Sequence, residues 1–358
     1  MAEAPTKSFN QPPDPKLAEG HPLLAFIHVP RTGGGTVSSA LSKNYSRLRG
    51  VGNFQRGPEK TRMAIERLGT DSGEWKALGD HAPLGLYLRY LPADTRYMTI
   101  LRDPVDRVLS HYHFHARAGE RKLRTTWREM LERDREERGG EPITLDDETD
   151  FSLEAGLARR VTIYDNFMTR FLWGGETIFG ELPADALDRA KENVGSFWFV
   201  GIQERLDDSI VLLGRKLGIG LMPYYLRHVN QARPRLEETS DELRRLIAEH
   251  NQLDAELYRF ARERFDSESP SPEELAADGE ELRQLSIAVT AAGEAHRAGS
   301  KDRKAARKAA REERETNRAA VRAERADRKT QQKSREGKPR KSRTGQGQKQ
   351  EPASGEPT

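Results

Sequence analysis

Residues 23–48 read LLAFIHVPRTGGGTVSSALSKNYSRL, and this stretch decides the fold. Leu23–Val29 is a short apolar run with the length and composition of a buried strand. It ends at Pro30-Arg31-Thr32 and three consecutive glycines, Gly33, Gly34 and Gly35; beyond them Val37, Ala40 and Leu41 recur at helical spacing. The order is strand, glycine-rich turn, helix. Glycines let a backbone approach a phosphate and aim several N–H groups at it, and the helix N-terminus favours the anion. Arg31 and Thr36 flank the turn with a fixed positive charge and a hydroxyl. An ordinary glycine-rich strand–helix turn with no ligand has the same local pattern, so the loop alone leaves both readings open. It is not the nucleotide-triphosphatase loop, which needs Gly-Lys-Ser/Thr at the helix start; here Gly35-Thr36-Val37 carries no lysine. A GxGxxG dinucleotide pattern is absent as well.

Downstream, the same alternation recurs. A short helix is expected over 59–69, stopped by Gly69, then a second strand in WKALGDHAP ending at His81, with helix Leu84–Leu91 behind it. RYMTILRD (Arg96–Asp103) is the strongest central strand; Asp103 caps the following helix and Pro104 suits its first turn. Helices are expected over 120–138, 151–160, 164–173 and 183–195. FWFVGIQE (Phe197–Glu204) reads as a late strand, followed by helix Leu206–Leu217 and an amphipathic helix or broken pair over Ser240–Phe265. Strands alternating with helices predict an α/β fold with a mainly parallel sheet.

Composition bounds the folded part. The 358-residue chain is 35% hydrophobic, and the apolar residues are unevenly spread: after Val289 no Ile, Leu, Met, Phe, Trp or Tyr occurs. Such a segment cannot offset its ordering entropy by burial. Residues 297–349 hold 20 Lys and Arg against 7 Asp and Glu, so the overall charge of +3 hides an acidic body and a basic tail. The expected organisation is a flexible N-terminal arm over 1–22, a main domain over 23–267, a helical extension over 268–299 and a basic Ala/Arg/Glu-rich tail over 300–358, helical then disordered. The tail lacks the large apolar residues of a coiled-coil seam. Its charge suits a polyanion or an acidic surface, and a solubilising appendage is the plainer alternative. Zero cysteines exclude disulfides, thiolate metal sites and thiol catalysis. No apolar stretch has transmembrane length, and the first 22 residues carry no secretory h-region, so a cytoplasmic protein is expected.

Two motifs, taken together, carry a family resemblance. HVPRTGGGTV resembles the 5′-phosphosulfate loop of sulfotransferases that use 3′-phosphoadenosine 5′-phosphosulfate, whose common form is PKTGGTS. TILRDPVDRVLSHYHF resembles their 3′-phosphate motif, an arginine ending a strand and a serine eight residues on, here Arg102 and Ser110. GDHAPLGL, DNFMTRFLWG, FVGIQERLDDSIVLL and HVNQARPRL follow in the family's order. The chain over about 22–266 thus resembles carbohydrate sulfotransferases of the heparan sulfate 2-O type (sulfotransferase family 2). Arg31 stands where the family usually has lysine, and Gly35 where it has threonine or serine.

The resemblance implies a P-loop-like three-layer α/β fold and transfer of a sulfuryl group to a hydroxyl, most naturally on a carbohydrate, with no metal required. It assigns Arg31, Thr32, Gly33, Gly34, Gly35 and Thr36 to the 5′-phosphosulfate, with Arg31 also stabilising the leaving phosphate. Arg102 and Ser110 hold the 3′-phosphate in this reading; taken alone, Arg102 equally suits an ion pair with Asp103 or Asp106. His81 matches the family's catalytic histidine and is the candidate general base, since imidazole titrates nearest neutral pH. Without the resemblance it reads as a histidine packed at a strand end. His111, His113 and His115 invite a metal reading, but only 111 and 115 share a helix face and no HExxH pattern accompanies them, so packed or solvated histidines are expected. Asn166, Arg170, Asn230 and Arg233 are acceptor or nucleotide contacts by resemblance and structural hydrogen bonders otherwise.

Overall fold

The computed structural model describes residues 23–45, 77–139, 145, 149–226 and 239–296, with isolated positions 63, 308, 312 and 315. The chain divides into two compact units, Met1–Gly293 and Glu294–Thr358, and the sheet lies in the first. The helix expected over 59–69 and the tail beyond 300 lie outside the described residues, apart from those isolated positions.

Four strands form a fully parallel sheet: β1 (Leu24–Ile27), β2 (Ala77–Asp80), β3 (Arg96–Leu101) and β4 (Phe199–Ile202), in the order β2-β1-β3-β4. β1 is buried at every position because the sheet is covered on both faces. Its alternate residues serve two cores. Leu24 and Phe26 join Val37, Ala40 and Leu41 of α1 (Gly34–Asn44) on one face, with Met98, Ile100 and Phe199. Ala25 and Ile27 join Leu84, Leu86 and Tyr87 of α2 (Leu84–Tyr90) and Val108 and Leu109 of α3 (Pro104–Ala116) on the other. The result is helix, sheet, helix, the expected three-layer α/β fold.

This topology fixes where a ligand belongs. β1 and β3 are neighbours, yet β1 sends its helix to one face and β3 to the other. A crevice opens at their carboxyl ends, the position at which open α/β sheets bind ligands. Asp103 caps α3, its side chain accepting from Asp106 N at 3.0 Å, and Asp103 N in turn donates to Glu204 Oε1 just beyond β4.

The long charged helix α4 (Glu120–Arg138) inserts Trp127 and Met130 into the core on the Ala25 and Ile27 face. The helix expected over 164–173 is split into a 3-10 turn, Thr162–Tyr164, and a short helix α5 (Phe167–Leu172), with Asn166 between them in a left-handed conformation. Helix α6 (Ala186–Ser196) precedes β4 and α7 (Leu206–Leu217) follows it. The region 240–265 is a broken pair, α8 (Asp241–Glu249) and α9 (Gln252–Glu268), interrupted at His250 and Asn251. Residues 272–293 are helical and bury Leu275, Leu282 and Val289.

The junction of the pair clasps α5. Asn251 Oδ1 accepts from Asn166 N at 3.0 Å, and Asn166 Oδ1 accepts from Leu253 N at 2.9 Å. Asp254, fully buried, accepts from Met168 N, Thr169 N and Thr169 Oγ1 at 2.7–2.9 Å. Burial pushes its carboxyl up, against the nearby positive charge of Arg107 and these hydrogen bonds. Asp254→Ala strands three donors and the buried Arg107 charge, so it should cost about 3–5 kcal/mol, read as a lowered urea midpoint with unchanged slope. A loss below about 1 kcal/mol would show that the clasp holds nothing in place.

Candidate active site

The crevice is a cavity of about 510 Å³ lined by the turn after β1, by His81 after β2, by Arg102 and the inner face of α3, and by Gln203 after β4. Each wall follows from a strand end.

The turn is the tightest part. Arg31 has φ 74°, a left-handed backbone that a side chain with a Cβ rarely adopts, and Gly33 follows at φ 88°. A left-handed non-glycine residue costs of the order of 1–3 kcal/mol and persists only where its surroundings hold it. The holding group is Arg102, whose Nη1 donates to the Arg31 carbonyl at 3.0 Å. Thr32, fully buried, donates its hydroxyl to Val29 O at 2.8 Å and does not line the cavity, so its side chain shapes the turn instead of facing a ligand. Gly34 and Gly35 open α1, and their N–H groups belong to the first turn, which has no intrahelical acceptors to offer them. Thr36 also lines the cavity, but its N–H is spent on Gly33 O at 2.9 Å.

Arg31 and Ser110, 79 positions apart in sequence, meet here. Arg31 Nη2 and Nε donate to Ser110 Oγ at 3.2 and 3.3 Å, and the guanidinium lies 4.6 Å from the centre of the Phe114 ring. Ser110 and Phe114 are one helical turn apart on α3; Phe114 lines the crevice, while Ser110 is buried and meets it through Arg31. Arg102 is 9% exposed, and its Nε and Nη2 also engage Asp106 Oδ2. The ion pair with Asp106 is thus present, alongside the contact that ties Arg102 to the turn after β1.

His81 sits at the end of β2. Its N–H donates to Asp80 Oδ1 at 2.8 Å, which fixes the backbone at the strand end. Burial lowers the imidazole pKa below its ordinary value of 6.5, the Asp80 charge works against that, and the Arg31 guanidinium adds to it. A neutral imidazole at pH 7 is the form that accepts a proton.

His111 and His115 are buried and line the back of the cavity with rings 5.2 Å apart. His111 Nδ1 meets Arg107 Nη1 at 3.3 Å, and Arg107 is itself fully buried and anchored to Ile163 O. Burial and the neighbouring Arg107 keep His111 well below the usual histidine range, and burial takes His115 down to about 4. Both rings are held neutral by their surroundings.

Asn166 and Arg170 do not line the cavity. Asn166 belongs to the clasp described above, and Arg170, 3% exposed, spends its donors on Asp165, Ile178 O and Gly180 O. Asn230 and Arg233 lie outside the described residues. Four cavity residues were given no role in the sequence reading: His28, Pro30, Phe114 and Gln203. The signals were present. His28 is a polar residue ending an apolar strand, Phe114 stands one turn from Ser110, and Gln203 directly follows β4.

No protein-family model matches the chain. It is 24% identical over 280 residues to heparan-sulfate 6-O-sulfotransferase 3-B of Danio rerio, a match that takes in 69% of this chain. The chain spans 64% of the length of that curated relative. The similarity supports the resemblance to carbohydrate sulfotransferases at a coarse level; the relative is a 6-O enzyme, so the 2-O type expected from the motifs is not what the comparison supports.

Proposed function

We propose that this chain is a sulfotransferase that moves a sulfuryl group from 3′-phosphoadenosine 5′-phosphosulfate to a hydroxyl of a carbohydrate acceptor, with His81 as general base. One observation carries the reading: Arg31 of the turn after β1 shares a cavity with His81 and Arg102, and its guanidinium is hydrogen-bonded to the buried Ser110 of the helix after β3. Distant similarity to a heparan sulfate sulfotransferase agrees with it.

The cavity fits the donor nucleotide by the chemistry of its walls. Two guanidinium groups and the amides at the start of α1, with the Ser110 hydroxyl behind Arg31, suit a molecule with two phosphate groups, and about 510 Å³ is within the size range of cofactor pockets. The donor supplies an activated sulfuryl group on its 5′-phosphate. The turn residues Arg31, Gly33, Gly34, Gly35 and Thr36 face that phosphate in this reading, while Arg102 and Ser110 take the 3′-phosphate. Arg31 touches Ser110 directly, so its charge serves both ends. His81 orients the acceptor hydroxyl and takes its proton as the oxygen bonds to sulfur and the bond to the 5′-phosphate oxygen breaks. The preorganised donors of the turn stabilise the charge that grows on that phosphate.

Two outcomes follow. 3′-Phosphoadenosine 5′-phosphate should stabilise the chain by ~2.7 kcal/mol at a hundredfold excess over its dissociation constant, and ATP by far less. Equal thermal shifts with both nucleotides would remove the 3′-phosphate assignment of Arg102 and Ser110.

His81→Ala should lower kcat by roughly 10²–10⁴-fold while bisphosphate affinity, measured by calorimetry, barely changes. In the wild type the rate should rise with pH along a limb centred below the ordinary histidine value of 6.5, because burial and Arg31 both disfavour the imidazolium. Near-wild-type turnover in the variant, or a limb centred above that value, would make His81 a packing residue.

A further inference from the structure

The register of the sheet has placed a second imidazole against the first. β1 and β2 pair in parallel with Ile27 opposite Asp80, so the next residues in register are His28 and His81. Their rings stand 4.3 Å apart, centre to centre, tilted by 55°. His28 is itself held on two further sides. Its ring stacks on Phe26, two positions back along the same strand face, at 5.2 Å and 8°. A Cβ placed on Gly34 would lie 2.0 Å from the His28 ring, so the ring fills the space that this glycine leaves open. Gly34 therefore answers to His28 as well as to any bound phosphate.

We propose that His28 is a positioning residue for His81: its clamped ring forms a wall that fixes the His81 ring and shields one of its faces from water. The inference rests on the proposed sulfotransferase reading and deepens it. A general base acts only when its free nitrogen is held within hydrogen-bond reach of the acceptor proton. His81 is joined to the strand end by its backbone bond to Asp80, which leaves the ring to be placed by what packs against it. The charged and titratable groups acting around His81 are Asp80 on its own strand, Arg31 from the turn, His28 from β1 and His111 from α3. Of these, His28 has its ring in direct contact with His81.

Removing the wall has a fixed sign. His28→Ala lets water reach His81, which relieves desolvation and raises the His81 midpoint. His28→Phe keeps the ring, the stack on Phe26 and the shield.

The test is a side-chain NMR titration of the full-length chain with labelled histidine, the His81 signal being assigned by its loss in His81→Asn. His28→Ala should raise the His81 midpoint by about 0.5 or more, and His28→Phe should leave it near the wild-type value. In transfer assays with labelled donor, His28→Ala should lower kcat by about ten- to a hundredfold, with both KM values within about twofold, and His28→Phe should restore most of the rate. An unmoved midpoint in His28→Ala overturns the proposal, and so does a shift in His28→Phe as large as in His28→Ala. If His28→Ala does not fold, His28→Asn replaces it, since it too removes the ring. Failure of the sulfotransferase reading would be visible separately, as a wild-type chain that neither binds 3′-phosphoadenosine 5′-phosphate nor transfers sulfuryl, whereas the titration decides on His28 regardless.

Discussion

The hydrogen bond from Arg102 to the carbonyl of Arg31 is the contact on which the site depends. Arg31 is held in a left-handed conformation that its own side chain disfavours. Arg102 reaches it from the end of the neighbouring strand, steadied by Asp106 on the far side. The turn after β1 is thus shaped from the end of β3, and one hydrogen bond joins the segments that carry Arg31 and Arg102. Preorganisation of this kind lowers the cost of binding and keeps donors aimed at charge that develops later.

Polar burial around the cavity follows the same logic. Burial takes the fully buried Arg107 down to about 10 while Asp254 favours its charge, and its contacts with Ile163 O and His111 Nδ1 fix one wall. Around it His111 and His115 are driven neutral, leaving Arg31 and Arg102 as the guanidinium groups that line the cavity. The acidic member nearest them, Asp106, is consumed by Arg102. The sheet contributes the other half. Register sets His28 beside His81, and the missing side chain of Gly34 makes room for the His28 ring.

Much of this was legible in the sequence because the strands are short apolar runs with sharp ends. Pro30, His81 and Asp103-Pro104 end three of them, and the cavity residues Arg31, His81 and Arg102 stand at or beside those ends. The capping role of Asp103 was legible too, since Pro104 leaves few other ways to begin α3. Pairing was not. No local pattern tells that residue 28 stands opposite residue 81, or that the Arg31 side chain turns toward Ser110. Asn166 and Arg170 show the converse difficulty, because a polar residue that satisfies buried backbone groups carries the same residue types as one that meets a ligand. Thr32 differs for a local reason: its hydroxyl has a carbonyl acceptor three residues back.

The central claim is that Arg31 and Ser110, joined by a hydrogen bond, act on one bound nucleotide as a single unit. A double-mutant cycle on the affinity for 3′-phosphoadenosine 5′-phosphate, measured by calorimetry with Arg31→Ala, Ser110→Ala and the pair, tests it most directly. The account predicts a coupling of about 0.5–3 kcal/mol between the two positions, since each holds the other toward the ligand. Losses that simply add would contradict it, for the two residues would then bind independently or not at all.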